Sequence, residues 1–415
     1  VRGRAISGAL IVSAAVAGGF AELGDTLAPP LDHPAIQYYS EQVTDPVSEL
    51  NEKLKAGEAQ LKFQGPTGYL KSVLAALNVP VESQIAVFSK TSLQADRIEM
   101  GNPRTIFFND SVVVAWMHGG FIELASQDPQ RGVIFHLLLQ QPMPRPEFQR
   151  HDDCLRCHHS DASLGVAGMM VRSTFSGSDG ELRLIDGASL TDHRSPMEER
   201  WGGWYVTGSV GSNRHLGNAV VADPDHPKSM VTAETLNLAS LREKINSGNY
   251  LTPYSDVAAL MVFDHQMYMM NLITRVGWEI RAAQHDHRGD LGALLRDSAR
   301  ELSDYMLFVD EAPLNGPIRG TSGFAEEFAA SGPRDGKGRS LRELDLRTRL
   351  MRYPCSYMIY SPAFDALPAE AKDAVYKRMR QVLSGGEKDP KYARLMAADR
   401  QAILEILRET KPGFE

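Results

Sequence analysis

The sequence predicts an α+β protein, with an antiparallel β-rich N-terminal and central part followed by a mainly α-helical C-terminal half. Three observations carry this reading. Short β-branched and aromatic runs separated by turn residues fill the stretch from Gln84 to Leu139. Glycine-punctuated short runs of the same kind continue from Met169 to Val221. After His226 the apolar residues recur at helical spacing to the end of the chain.

Taken in order, the stretch from Asp25 to His33 is proline-rich and reads as extended. Pro46 to Leu77 reads as helical, with Leu50, Leu54 and Leu61 on one face and a second short helix over Tyr69 to Leu77. Strands are expected at Ile85–Phe88, Thr105–Phe108, Val112–Met117, Phe121–Leu124 and Val133–Leu139. Gly101-Asn102-Pro103, Asn109-Asp110, Gly119-Gly120 and Asp128-Pro129 supply the turns of an antiparallel meander. Gln141 to Pro146 holds three prolines and reads as a linker. Further strands are expected at Met169–Thr174, Leu182–Ile185, Trp204–Val210 and Ala219–Val221. Helices are expected over Met230–Gln284, Leu291–Val309, Ser340–Met351, Pro368–Leu383 and Asp389–Thr410, with a surface loop at Ser331–Gly338. The organisation that follows is residues 1–21 as an export segment, 22–150 as an α/β region with antiparallel strands, 151–225 as a chemistry-bearing segment and 226–415 as a helical domain.

Composition bounds the function. The chain has 415 residues, 43% hydrophobic and 23% charged, which is ordinary for a globular protein. Three cysteines in a chain this long exclude a disulfide framework. A formal net charge of −8 without any basic run argues against a nucleic-acid partner. The first twenty residues stand apart. Arg2 and Arg4 precede an apolar, small-residue stretch from Ala5 to Phe20, and no acid appears before Glu22. That is the pattern of a secretory signal peptide, with Ala15-Val16-Ala17 or Ala21 as the cleavage site. An uncleaved anchor is the alternative, although the run is shorter than the ~20 residues of a spanning helix. Export to a bacterial periplasm or the exterior is the expectation.

The chemistry is concentrated in His151-Asp152-Asp153-Cys154-Leu155-Arg156-Cys157-His158-His159. This contains C-x-x-C-H. Two thiols three residues apart can reach both vinyl groups of one haem, and the next residue places an imidazole under the iron. Two rivals stand beside this reading. One is a Cys154–Cys157 disulfide, but no βαβ pattern precedes the motif. The other is zinc held by the cysteines and nearby histidines, but no second ligand pair follows along the chain.

At Cys154, Cys157 and His158 the chain resembles c-type cytochromes, with the small-residue run Ser163 to Gly168 behind them. The resemblance covers that segment only. It implies one covalent haem c with His158 as first axial ligand. Dihaem peroxidases are similar in size and export, but they carry two such motifs and this chain has one. The remainder resembles secreted monohaem proteins to which no activity attaches.

The second axial position decides between electron transfer and ligand chemistry. His265, on an apolar face with Met261, Tyr268, Leu272 and Val276, is the first candidate, and a hydrogen-bonded core histidine is the plainer reading. His193 is the alternative candidate, while Met169 and Met170 read more simply as core filler. Arg194 and Arg200 are candidate partners for haem propionates in a stretch dense in Arg, His and Trp, or else fold-stabilising ion pairs. His215 flanks the same stretch. His159 reads as supporting or exposed, Cys355 as buried and inert, and His285-Asp286-His287 as a solvated loop. The function expected is that of an exported monohaem cytochrome passing single electrons to a redox partner protein. The alternatives are a peroxidase-like oxidoreductase acting on a small oxidant at an open site, or a non-catalytic haem- or zinc-binding protein. No membrane association beyond an N-terminal anchor is expected.

Overall fold

Alternation of side chains builds one antiparallel sheet with two different faces. The computed structural model describes residues 28–223, 225–226 and 230–415. The expected export segment, residues 1–21, lies outside them. Seven strands pair in the order β6-β5-β4-β3-β2-β1-β9: β1 (Ile85–Val87), β2 (Arg104–Phe108), β3 (Val112–Trp116), β4 (Ile122–Asp128), β5 (Gly132–Leu138), β6 (Gln149–Arg150) and β9 (Trp204–Tyr205). A separate hairpin joins β7 (Arg172–Thr174) and β8 (Ala188–Leu190). The turns are the expected ones. Asn109 Oδ1 accepts from the amides of Ser111 and Val112 between β2 and β3, and Asp128 Oδ1 accepts from Gln130 and Arg131 between β4 and β5. Gly132 then opens β5 with φ +84°, where a Cβ would also strike the carbonyl of Ala167.

One sheet face carries Phe107, Val112, Val114, Trp116 and Leu124. It is covered by α1 (Pro46–Ala56) and α2 (Leu70–Ala76), whose Val47, Leu50, Leu70 and Val73 belong to the same cluster. Gly57 ends α1 in the left-handed conformation, so Leu61 packs from outside the helix. The opposite face carries Val87, Ile106, Val113, Ala115, Ala125 and Phe135 and shares a core with the C-terminal helices. β9, from the central stretch, pairs with β1 and completes the sheet edge.

The remaining helices are α3 (Leu155–His158), α4 (Ala233–Leu236), α5 (Val257–His285), α6 (Leu291–Met306), α7 (Phe324–Ala330), α8 (Pro362–Asp365), α9 (Ala369–Leu383) and α10 (Ala397–Thr410). The 29 residues of α5 make a rod about 43 Å long, buried except for a half-buried stripe through Tyr268, Arg275 and Glu279 and its C-terminal end. Among the described residues, no helix is long and apolar enough to cross a membrane.

Three more expected helices differ. The one expected over Asp389–Thr410 opens as a short turn at Pro390–Tyr392 and becomes α-helix only at Ala397. The helix expected over Met230–Gln284 begins only at Val257, after the single turn of α4. Asn246 caps a short turn with its side chain and Pro253 follows, both of which interrupt helix. Ser340–Met351 forms turns instead of a helix. Asp345 Oδ1 accepts from the amides of Arg347 and Thr348, and Leu346 adopts φ +54°. The strand expected at Leu182–Ile185 reduces to one bridge between Leu182 and Ser176, and Ala219–Val221 forms no strand.

Asp256 starts α5. Its buried Oδ1 accepts from the amides of Ala258 and Ala259, and its Oδ2 from those of Thr321 and Ser322 and from the Ser322 hydroxyl. Asp256→Ala is expected to lower the unfolding free energy by about 3–5 kcal/mol, because buried donors lose a charged acceptor. Asp256→Asn should lose less. Urea unfolding measures both, and a loss under about 1 kcal/mol for the alanine variant would remove Asp256 as the anchor of this helix.

Candidate functional site

The motif forms a single turn of helix anchored by one apolar side chain. Leu155 is buried, while Cys154 is half-buried and Cys157 exposed. The i, i+3 and i, i+4 spacings bring Cys154, Cys157 and His158 to one side of this turn. All three line a cavity of about 510 Å³. That volume falls within the roughly 300–1,000 Å³ of ligand and cofactor pockets.

The floor of the cavity is the apolar sheet face, with Ile106 from β2, Val113 and Ala115 from β3, Ala125 from β4 and Phe135 from β5. Phe263 of α5 and Trp204 of β9 close other sides. Two charged side chains interrupt the floor, Arg104 and Glu123, whose Nε and Oε2 lie 3.3 Å apart. Further cations line the cavity: Lys90, paired with Glu181 at 2.7 Å, together with Arg156 and Arg172.

His158 is held from behind. Its Nδ1 lies 3.0 Å from the carbonyl oxygen of Gly168. A carbonyl only accepts, so Nδ1 carries the proton and Nε2 keeps its lone pair. Burial pushes the imidazole down to about 4, against the raising effect of the Gly168 bond, so it is neutral at physiological pH. Nε2 has no protein partner among the described residues and is the nitrogen left for a ligand. The other contacts complete the seat. Gly168 N–H donates back to the His158 carbonyl at 2.9 Å, and the Phe135 ring lies 5.0 Å from the imidazole. Asn271 of α5 clamps the next residue, donating from Nδ2 to Met169 O at 2.6 Å and accepting from Met169 N at 2.9 Å. A Cβ on Gly168 would collide with the Asn271 amide, so only glycine lets this chain approach so closely.

Both motif thiols are free. Burial, with the Glu123 charge adding to it, pushes the Cys154 thiol up to about 12. At neutral pH it is a protonated thiol, and a metal held here would have to displace that proton. Among the described residues, the one group of three metal-type donors that converges is His33, His285 and Asp286, not the motif. That group is a hydrogen-bonded latch. Ala35 N–H donates to His33 Nδ1, so His33 Nε2 carries its proton and donates to Asp286. A metal on Nε2 would require Nδ1–H to face that amide. Asp286, held at about 2 by His285 and His33, also pairs with Arg288.

His193 and His265 do not line the cavity. Their Nδ1 atoms lie 2.8 Å apart, His265 Nε2 meets Ser356 Oγ at 2.7 Å, and His265 stacks between Tyr305 and Phe308. Both are buried and pushed far down, His265 to about 3. On α5 it is Phe263, two positions earlier and so on another side of the helix, that reaches the cavity. Arg194 and Arg200 are likewise committed elsewhere. Arg194 forks onto Asp192 and lies over the Tyr268 and Tyr305 rings. Arg200 donates to the carbonyls of His193 and Ser195 and sits beside Asp264. Neither guanidinium lines the cavity that Cys154, Cys157 and His158 border. His215 meets the Leu236 carbonyl, His159 bridges Ala167, and Cys355 is buried with its thiol pushed up by burial.

The residues that replace them at the cavity, Arg104 and Glu123, have a visible signal. Each is a charge in phase with the apolar face of its strand, Arg104 with Ile106 and Glu123 with Ala125. Met169 and Met170 also line the cavity and supply its thioethers.

No family model, no curated protein and no solved structure matches this chain.

Asn271→Ala removes both bonds to Met169 and leaves two backbone groups without partners. The expected loss is about 2–4 kcal/mol, with faster exchange of the His158 Nδ1 proton in NMR. Unchanged stability and unchanged exchange would show that the clamp does not hold His158.

Proposed function

We propose that the chain is an exported c-type haem protein that passes single electrons, with one haem c joined through Cys154 and Cys157 and His158 as axial ligand. The observation that carries this is the meeting of two free thiols and a neutral, backbone-held imidazole on one wall of a cofactor-sized cavity. When bound, the haem supplies a one-electron couple whose potential depends on ligand, burial and nearby charge. The chain's residues do the rest. Cys154 and Cys157 tether, the Gly168 carbonyl fixes the His158 tautomer, and the apolar floor excludes water. Arg104 and Arg172 line the cavity and take the place of Arg194 and Arg200 as candidate guanidinium partners for propionates. Exposed Cys157 places one edge of the site at the surface, where a redox partner protein can approach.

One observation favours a second reading, an oxidoreductase with an open sixth position acting on a small oxidant. Among the described residues, no imidazole other than those of His158 and the Asp45-bonded His136 borders the cavity, so a second histidine ligand has no source there. Met169 and Met170 are then the side chains on which a closed site depends.

The chain expressed with its N-terminal segment in a host that matures c-type cytochromes should retain haem under denaturing conditions. Its pyridine haemochrome should show thioether-shifted α bands, and the Cys154→Ala/Cys157→Ala variant should lose them. A wild type without covalent haem would sink the proposal. Binding of CO by the reduced protein would select the open site over the electron carrier. Insensitivity to CO that is lost in Met169→Ala or Met170→Ala would select the carrier.

A further inference from the structure

Arg104 opens β2 in the same alternation as Ile106, so its side chain projects onto the floor of the cavity. That side chain is only 14% exposed. A guanidinium has five N–H donors, and a mostly buried one normally spends them on acceptors. Here none of the five makes a hydrogen bond to any described residue, and Nε is buried without a partner. Glu123 Oε2 is near, at 3.3 Å from Nε, but out of line for a hydrogen bond. Glu123 is committed on its other oxygen, where Oε1 accepts from Ser92 Oγ at 2.7 Å and Gln94 Nε2 at 3.2 Å. The pairing runs diagonally across β3. Ala115 lies opposite both Ile106 and Glu123, and its small side chain leaves the space that the arginine crosses.

The other cations of the cavity are differently placed. Lys90 is spent on Glu181, an Arg172 terminal nitrogen rests on Met170 Sδ at 3.8 Å, and Arg156 is exposed. Arg104 is thus a charged fork in a mainly apolar chamber, steadied from one side by a fixed carboxylate and left with its donors unspent. A planar pair of N–H donors matches the two oxygens of a carboxylate, and such charge-assisted pairs are stronger in a shielded site than in water.

We infer that Arg104 is a carboxylate-binding residue of the cavity, with Glu123 as its positioning residue. Two sources carry that chemistry, a propionate arm of the attached haem and a free small carboxylate. The first source rests on the haem reading given above; the second does not.

The test uses the full chain, haem-loaded and as the unloaded Cys154→Ala/Cys157→Ala variant, each with native Arg104, Arg104→Ala or Arg104→Lys. Potentiometric titration of the loaded protein forms one arm. Titration of both forms with sodium formate, followed by the fluorescence of cavity-lining Trp204 or by calorimetry, forms the other. If a propionate is the ligand, Arg104→Ala shifts the midpoint potential downward, because a cation beside the haem favours the reduced state. Formate then binds the unloaded form only. If a free carboxylate is the ligand, formate binds the loaded form as well, and Arg104→Ala weakens it at least tenfold. In either case Arg104→Lys recovers part of the effect, since it restores the charge without the fork. A chain that carries no haem defeats the haem reading, and the formate arm on the unloaded chain still decides the inference. Unchanged potential together with unchanged or absent formate binding in folded Arg104→Ala overturns it.

Discussion

Helix α5 is buried over most of its circumference, and much of the remaining architecture answers that constraint. Polar side chains on such a helix have no water to turn to, so each must find its partner in the protein. Asp264 accepts from Thr191, Arg200 and Trp201. Gln266 accepts from Tyr357 and donates to the Asn109 carbonyl, Thr274 meets Gln127, and Asn271 holds Met169. Through these bonds one rod fixes the polar central stretch, two strand turns and the segment behind His158. The helix sets the position of the motif without contributing a residue of the motif itself.

The dense stretch from Asp192 to Trp204 is then the dock of this helix. Burial raises the Asp264 carboxyl to about 6, opposed by Arg200 and by hydrogen bonds from Trp201 and Thr191. Those donors favour its ionised form, against the burial. A buried carboxylate of this kind needs charged and aromatic donors close by, which is why Arg, His and Trp cluster there. The cluster looks like the wall of a site in sequence because both tasks, holding a buried charge and holding a ligand, recruit the same residue types.

The sheet and the motif were legible in the sequence for definite reasons. Strands β2 to β5 are short runs rich in β-branched and aromatic residues between turn signals, and at the β2–β3 and β4–β5 hairpins the turn residues cap their own loops, so strand propensity and turn chemistry agree. C-x-x-C-H is local, and its spacing translates directly into one helical turn with all three side chains on the cavity. What periodicity cannot supply is the identity of the neighbour. The face of α5 that carries His265 was readable as buried, but whether it meets the cavity or Tyr305, Phe308 and His193 depends on packing between distant segments. Arg104 and Glu123 lie outside the motif and matter only because strand register sets them on the same sheet face as Phe135, against which His158 packs. The overextended helix after Met230 and the turns at Ser340–Met351 have one origin. Side chains of Asn246 and Asp345 capture nearby backbone amides, a local competition that apolar spacing does not register.

The chain between His158 and Gly168 is closed at its neck. Gly168 both receives the imidazole proton and donates its own amide to the His158 carbonyl, and His159 bridges Ala167 just inside. The tip around Asp161 is exposed and holds itself through the Ser160–Ser163 capping box. Residues at the neck fix the imidazole directly, whereas Ser160 and Ser163 reach only the backbone carbonyls of Cys157 and His158, and Asp161 at the tip reaches neither. Lengthening a loop whose ends are already joined adds little entropy, about 0.6 kcal/mol per doubling. In evolutionary terms this is a place where the chain can gain or lose residues, or acquire a new recognition element, while the residue that matters for chemistry stays where it is.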